Sequence, residues 1–257
     1  MKDPILNLKG YLDGVKQKPS DQMKGVPRPD FEKPLRAGQV PLALPAPAGV
    51  KLKKADVRKC IADRKSVRAF SAAPVTLREL SFLLWATQGV RELVSDERHM
   101  HHAIKRTVPS AGSRHPFETY FVARQVEGLQ AGIYRYIGSK HAVVLEAKPA
   151  GLGSKVSEAA IGQAFCGKAP LFLLWSAVPY RTIWRYGLPK SVKCVLLDAG
   201  HIGQNLHLAC EALGLGTCMI GAYRQSAMDG LFGLDGKNEL SVYMAPVGHL
   251  PAQKRNA

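Results

Sequence analysis

Between residues 192 and 213 the chain reads "VKCVLLDAGHIGQNLHLACEAL", apolar on almost every side when wound as a helix, with Gly214 just past its end. No other stretch restricts the fold as much. A helix hydrophobic all round must be covered, either in a core or at a subunit interface. The rest of the chain can supply the cover, since 46% of its 257 residues are apolar, enough for one large domain or two small ones.

The remaining elements read as a mixture. Residues 1–50 hold 8 of the 17 prolines, which fix φ and remove backbone donors, so an extended arm is expected there and a folded domain over 51–257. "PLALPAPAG" (41–49) is apolar enough to lie against a surface, another subunit's included. A helix is expected in "KADVRKCIADR", with Asp56 near its start. A second begins at Thr76, with Glu79 as capping-box partner, Leu80, Leu83 and Leu84 on its apolar face and Gly89 at its end. "FETYFVA" (117–123) and "GIYRYI" (132–137) read as strands, and "HAVVLEA" (141–147) as a short strand suited to an edge. "SKVSEAAIGQAF" (154–165) reads as one helix ended by Gly167. The continuous apolar run "LFLLWSAV" suits a central strand; "GTCMIGAY" and "ELSVYMAPVGHL" complete the set. Without regular βαβ alternation, the fold class is α+β with a mainly antiparallel sheet.

A formal charge of +16 poses the question of an anionic partner. "RKSVRAF" (64–70) puts Arg64, Lys65 and Arg68 around Ser66, directly after the basic run "KLKKADVRKC". Guanidinium forks suit phosphate oxygens, and a serine hydroxyl adds a short hydrogen bond. A solvated basic face is the plainer reading of the motif alone. "PSAGSRHP" (109–116) lines up Pro109, Ser110, Ala111 and Gly112, small residues whose backbone can approach a flat ligand. Ile220 and Gly221 offer a similar approach at a strand end.

Other chemistries are excluded or weak. The glycines of "GLGTCMIG" follow a helix and enter a strand, the reverse of a dinucleotide fingerprint, and no P-loop or H-E-x-x-H pattern occurs. "HMHH" (99–102) lies in a charged, polar stretch, where adjacent histidines are solvated more often than ligated, so no metal is expected. Five scattered cysteines without a C-x-x-C pair suit a reduced compartment. With no apolar run of membrane-spanning length and no signal segment, a cytoplasmic protein is expected. His201, in "DAGH", reads as a buried structural histidine.

Taken in order, "RKSVRAFSAAPVTLRELSFLLWATQGV", "PSAGSRHPFETYFV", "GIYRY", "LLDAGHIGQNLHLACEALGLGTCMIGAY" and "APVGH" make the chain resemble the FMN-dependent nitroreductase family. Within it the chain is similar to the branch containing the azoline dehydrogenases of ribosomal-peptide pathways. The resemblance implies a homodimer with swapped terminal arms and two FMN molecules, each touched by both subunits. It places Arg64, Ser66 and Arg68 on the FMN phosphate and ribityl chain, with Lys65 where arginine is common. Pro109, Ser110, Ala111 and Gly112 match the loop along the isoalloxazine ring, and Ile220 and Gly221 the approach to its redox centre. Gln88 matches a neighbouring amide, and Lys254 and Arg255 a basic pair in the C-terminal tail.

The implied activity is NAD(P)H-dependent reduction of a small acceptor, a nitro compound or quinone, by ping-pong hydride transfer. NADH or NADPH is the donor, and the cofactor carries the chemistry. The azoline dehydrogenases carry a Lys-Tyr pair whose lysine is thought to be a base; here the pair is Arg185 and Tyr186. Arginine does not give up its proton near neutral pH, so a base role at 185 fails; no obligatory side-chain acid or base is implied, and Tyr186 is a candidate either to donate a proton or simply to pack. Two alternatives stand beside this reading: an azoline-type peptide dehydrogenase, and a non-enzymatic protein that binds flavin or a polyanion. Nucleic acid and membrane are not the expected partners.

Overall fold

In the computed structural model of the chain, residues 19–96 and 101–252 are described. Seven strands form one antiparallel sheet: β1 (Leu42–Ala43), β4 (Phe117–Ala123), β5 (Gly132–Ile137), β6 (Ala142–Ala147), β7 (Leu171–Ala177), β8 (Leu215–Thr217) and β9 (Leu240–His249). Their spatial order is β1-β6-β5-β4-β7-β9-β8. A separate hairpin pairs β2 (Val90–Asp96) with β3 (His101–Arg106). The described helices are α1 (Val57–Asp63), α2 (Leu77–Gln88), α3 (Leu152–Ala159), α4 (Ala164–Lys168), α5 (Tyr180–Tyr186), α6 (Leu188–Leu213) and α7 (Gln225–Leu231). The class is α+β, as the sequence indicated.

The sheet is covered on both faces, which explains the unbroken apolar run of β7. Its Leu171, Leu173 and Trp175 join a core with Leu80, Leu83 and Leu84 of α2 and Ile202 and Leu206 of α6. The alternate residues Phe172 and Leu174 pack the other way, with Val156, Cys166 and Met228 from α3, α4 and α7 and Phe232 just past the end of α7. A strand buried on both sides has no polar face to show.

The caps form as the sequence requires. Asp56 accepts from Arg58 N and Lys59 N at 2.8 and 3.3 Å, and Thr76 and Glu79 close a reciprocal capping box. Elsewhere the structure corrects the sequence reading. The stretch 154–165 is two short helices, because the chain turns left-handed at Ile161 and Gly162 (φ 57° and 75°). Gly167 lies inside α4, where a Cβ would fall 1.9 Å from the Gly153 carbonyl oxygen; it permits α3 and α4 to touch. β6 is not an edge strand, since β1 pairs outside it. "GTCMIGAY" pairs regularly only over β8, then through one bridge from Ile220 to Met244.

The described part of the arm, residues 19–50, is fastened to its own chain. Arg135, 1% exposed, donates to the carbonyls of Lys33 and Pro34 and to Glu146. Lys33 N donates to Glu118 Oε1, and Trp184 Nε1 to the Val26 carbonyl. One side of α6 packs inward, while Leu188, Val192, Leu196 and Leu197 stand 63%, 42%, 60% and 57% exposed. The long helix therefore has one apolar face that the described residues leave uncovered.

Candidate functional site

The residues singled out by sequence gather in two places. The first lies at the β8 edge of the sheet. Arg64 caps the C-terminus of α1, its N–H donating to the Cys60 carbonyl at 3.1 Å. The chain then runs beside β8, with Ser66 bridged to Thr217 and Val67 N donating to the Thr217 carbonyl at 2.8 Å. Gly216 permits that approach, since a Cβ there would meet Val67 Cγ1 at 2.7 Å. Three residues beyond Thr217, Ile220 is fixed by its bond to Met244, and Gly221 opens onto unobstructed space. Lys65, Ser66 and Arg68 are exposed and Arg64 half-buried. Among the described residues no carboxylate pairs with any of the three cations.

The second place is the loop 109–113, pinned to α6 by Asp198. Ser110 Oγ donates to Asp198 Oδ2 at 2.6 Å and accepts from His115 N; Ala111 N donates to Asp198 Oδ1 at 3.1 Å. Burial pushes the Asp198 carboxyl above its ordinary range, and these two bonds oppose that rise. Gly112, Ser113 and His115 all have positive φ (56°, 52° and 46°). Such backbone persists only where its surroundings hold it. Tyr186 and Arg185, at the end of α5, close over the loop: a Cβ on Gly112 would lie 2.4 Å from Tyr186 Oη and 3.0 Å from Arg185 Nε. Arg114 Nε donates to the Gly112 carbonyl at 2.9 Å, and Arg28 to that of Ser113 at 3.2 Å.

The two places do not face each other. Arg64 lies close enough to His207 to help burial push that imidazole down, whereas the loop is tied to Asp198. Nine residues along α6 are about 2.5 turns, so the two sites border opposite sides of the helix.

Gln88 is buried at the end of α2 with its Oε1 unpartnered, and its carbonyl accepts from Arg106 at 2.6 Å. Lys254 and Arg255 lie outside the described residues, as does His99. His201 is exposed, contrary to the buried role read from sequence, because it stands on the outer side of α6. No cluster of three metal-ligating side chains occurs among the described residues, and no described helix is long and apolar enough to cross a membrane. Sequence reasoning missed Asp198 as the anchor of the loop; an acid in the middle of a mostly apolar helix was the signal available. It also missed the guanidiniums of Arg28 and Arg114.

The model of the Nitroreductase family matches residues 61–249. Putative nitroreductase MJ1384 of Methanocaldococcus jannaschii is 36% identical over 187 residues, covering 72% of this chain and 86% of the relative. The chain belongs to the nitroreductase family. It is also 28% identical over 135 residues to the trifolitoxin-processing protein TfxB of Rhizobium leguminosarum bv. trifolii, covering 51% of this chain and only 36% of TfxB. The same fold occurs in the NADPH:FMN oxidoreductase of Vibrio harveyi complexed with NAD+, with a TM-score of 0.53 at 19% identity over 77% of this chain and 69% of that one.

Proposed function

We propose that the protein is an FMN-dependent oxidoreductase that takes electrons from NADH or NADPH and passes them to a small nitro, quinone or related acceptor in a ping-pong cycle. The observation that carries this reading is the group Arg64, Lys65 and Arg68 around exposed Ser66, cations with no carboxylate partner among the described residues, beside the open backbone at Gly221. A phosphate dianion taken out of water needs about two or three such charges to offset its desolvation. The residues therefore fit FMN. Bound there, the flavin supplies the two-electron hydride chemistry.

The chain's own residues divide the remaining work. Arg64, Ser66 and Arg68, with Lys65, hold the phosphate and ribityl chain, while Ile220 and Gly221 approach the ring from the same side. The loop 109–112 lies across α6 from them, so it serves the second flavin of a homodimer, and a partner copy supplies the matching loop to the first. The uncovered face of α6 is the surface through which two copies meet. The arm's described part is bound within its own chain, so any exchange of arms involves the terminal tails. Tyr186, against Gly112, stands where a hydroxyl can give a proton to an acceptor lying on the loop.

The similarity to TfxB favours a second reading, a peptide-modifying dehydrogenase. Arg185 weighs against it, because a guanidinium cannot act as the base that such a reaction asks of the lysine in that position. An absorbance spectrum before and after anaerobic NADH or NADPH tests the proposal. A flavin band that bleaches is expected, and Arg64→Ala/Arg68→Ala should purify colourless. Stoichiometric flavin in that double variant sinks the site assignment.

A further inference from the structure

Beside the 109–112 loop, three arginines from distant parts of the chain converge without a carboxylate partner among the described residues. Arg114 is only 6% exposed, yet its bond to the Gly112 carbonyl uses Nε, and its terminal nitrogens are not among the sealed, partnerless atoms of the structure. Its guanidinium lies 5.1 Å over the Trp184 ring. Arg185 lies 5.6 Å over Tyr186 and against Gly112, and Arg28 bonds to Ser113 from the arm. Burial and the neighbouring charges of Arg28 and Arg185 push Arg114 down to about 10, so these cations feel one another. The nearby Arg181 is matched by Glu118 at 2.5 Å, and Asp198 is turned onto Ser110 and Ala111. Mutually repelling cations with donors to spare, the buried Arg114, the half-buried Arg28 and the exposed Arg185, form a receptor for a planar or tetrahedral oxyanion.

We propose that Arg28, Arg114 and Arg185 form an anion pocket that holds a carboxylate or phosphate group of the molecule reacting at the loop 109–112. The pocket itself stands on the geometry above; its assignment to a reacting molecule rests on the flavin reading. Arg185 thus acquires a positioning role in place of the base that lysine provides in the azoline branch. Preference for an anionic acceptor over its neutral counterpart follows directly.

The test is a titration of the purified full-length protein with inorganic phosphate, and separately with benzoate, at constant ionic strength in chloride. Tryptophan fluorescence is followed, since Trp184 lies under Arg114. A saturable change is expected, weakened about tenfold or more by Arg185→Gln, an exposed position that does not endanger folding, and kept by Lys168→Gln on the surface. Tighter phosphate marks a phosphate-bearing ligand, and tighter benzoate a carboxylate. In turnover, kcat/KM for 4-nitrobenzoate over nitrobenzene should fall by a similar factor in Arg185→Gln and in Arg28→Gln. A response no different from that to chloride, or one indifferent to Arg185, overturns the pocket. Loss of flavin in Arg185→Gln would assign the arginines to the cofactor and overturn the substrate role. A colourless protein that still binds phosphate through Arg185 keeps the pocket and defeats the flavin reading; a yellow protein bleached by NADPH but blind to both anions does the reverse.

Discussion

His115 shows how this loop exacts a cost from its residues. It is buried in a left-handed backbone conformation, its ring bonded to the Ile104 carbonyl. Burial first, then the charges of Arg106, Arg28 and Arg114, push its pKa down to about 3. The native imidazole is therefore neutral, while the unfolded one takes a proton below about 6.5. Stability linked to this group is present in full above that pH and is lost as pH falls toward 3, by about 1.4 kcal/mol per pH unit. His115→Asn keeps a residue that tolerates positive φ and removes the titration. Urea denaturation at pH 7 and at pH 5 should show the variant losing about 2 kcal/mol less than the wild type between those points. Equal losses would show that other groups set the acid sensitivity.

Among the elements, α2 is specified locally and so is legible in the residue string alone. Thr76→Ala removes a cap whose partner Glu79 is three residues away, and should cost about 1 kcal/mol, roughly 2–4 °C in Tm for a chain of this size. Calorimetry that finds no change would mean the helix is held by its packing alone. The same locality explains which other parts could be read. The apolar face of α2, the two-sided burial of β7 and the glycine at the end of α6 are written in neighbouring residues. What could not be read depends on contacts between distant ones. The break between α3 and α4 falls at the left-handed turn of Ile161 and Gly162, and the Gly153–Gly167 approach lets the two helices touch, while the β2–β3 hairpin forms in a charged, polar stretch. Arg135 reaches back to Lys33 and Pro34, and Arg28 joins Arg114 and Arg185 only once the arm is wrapped. The motifs of the proposed phosphate site could be singled out because each is one short run. Its division across α6, and the anchor at Asp198, were visible only in three dimensions.

At the scale of the whole molecule, the proposed dimer accounts for the opposite placement of Arg64 and the loop, each chain then contributing half of two sites. A two-fold dimer formed through α6 would complete both at once, since each residue on a two-fold interface acts twice. Leu196 and Leu197 are the centre of the exposed ridge, at 60% and 57% exposure in the isolated chain. Fully burying a leucine contributes about 1.5–3 kcal/mol, so covering the exposed part of four such side chains across the axis contributes about 3.5 kcal/mol at the low end. That is roughly two to three orders of magnitude in the dimer dissociation constant. Leu196→Asp/Leu197→Asp should therefore elute as a folded monomer in light-scattering chromatography, and it should lose its flavin in the same step although neither side chain belongs to the phosphate motif. A monomer that keeps one flavin per chain would mean that Arg64, Ser66 and Arg68 complete a site within one subunit. A dimer that survives both aspartates would put the interface elsewhere and leave the apolar face of α6 in need of another cover.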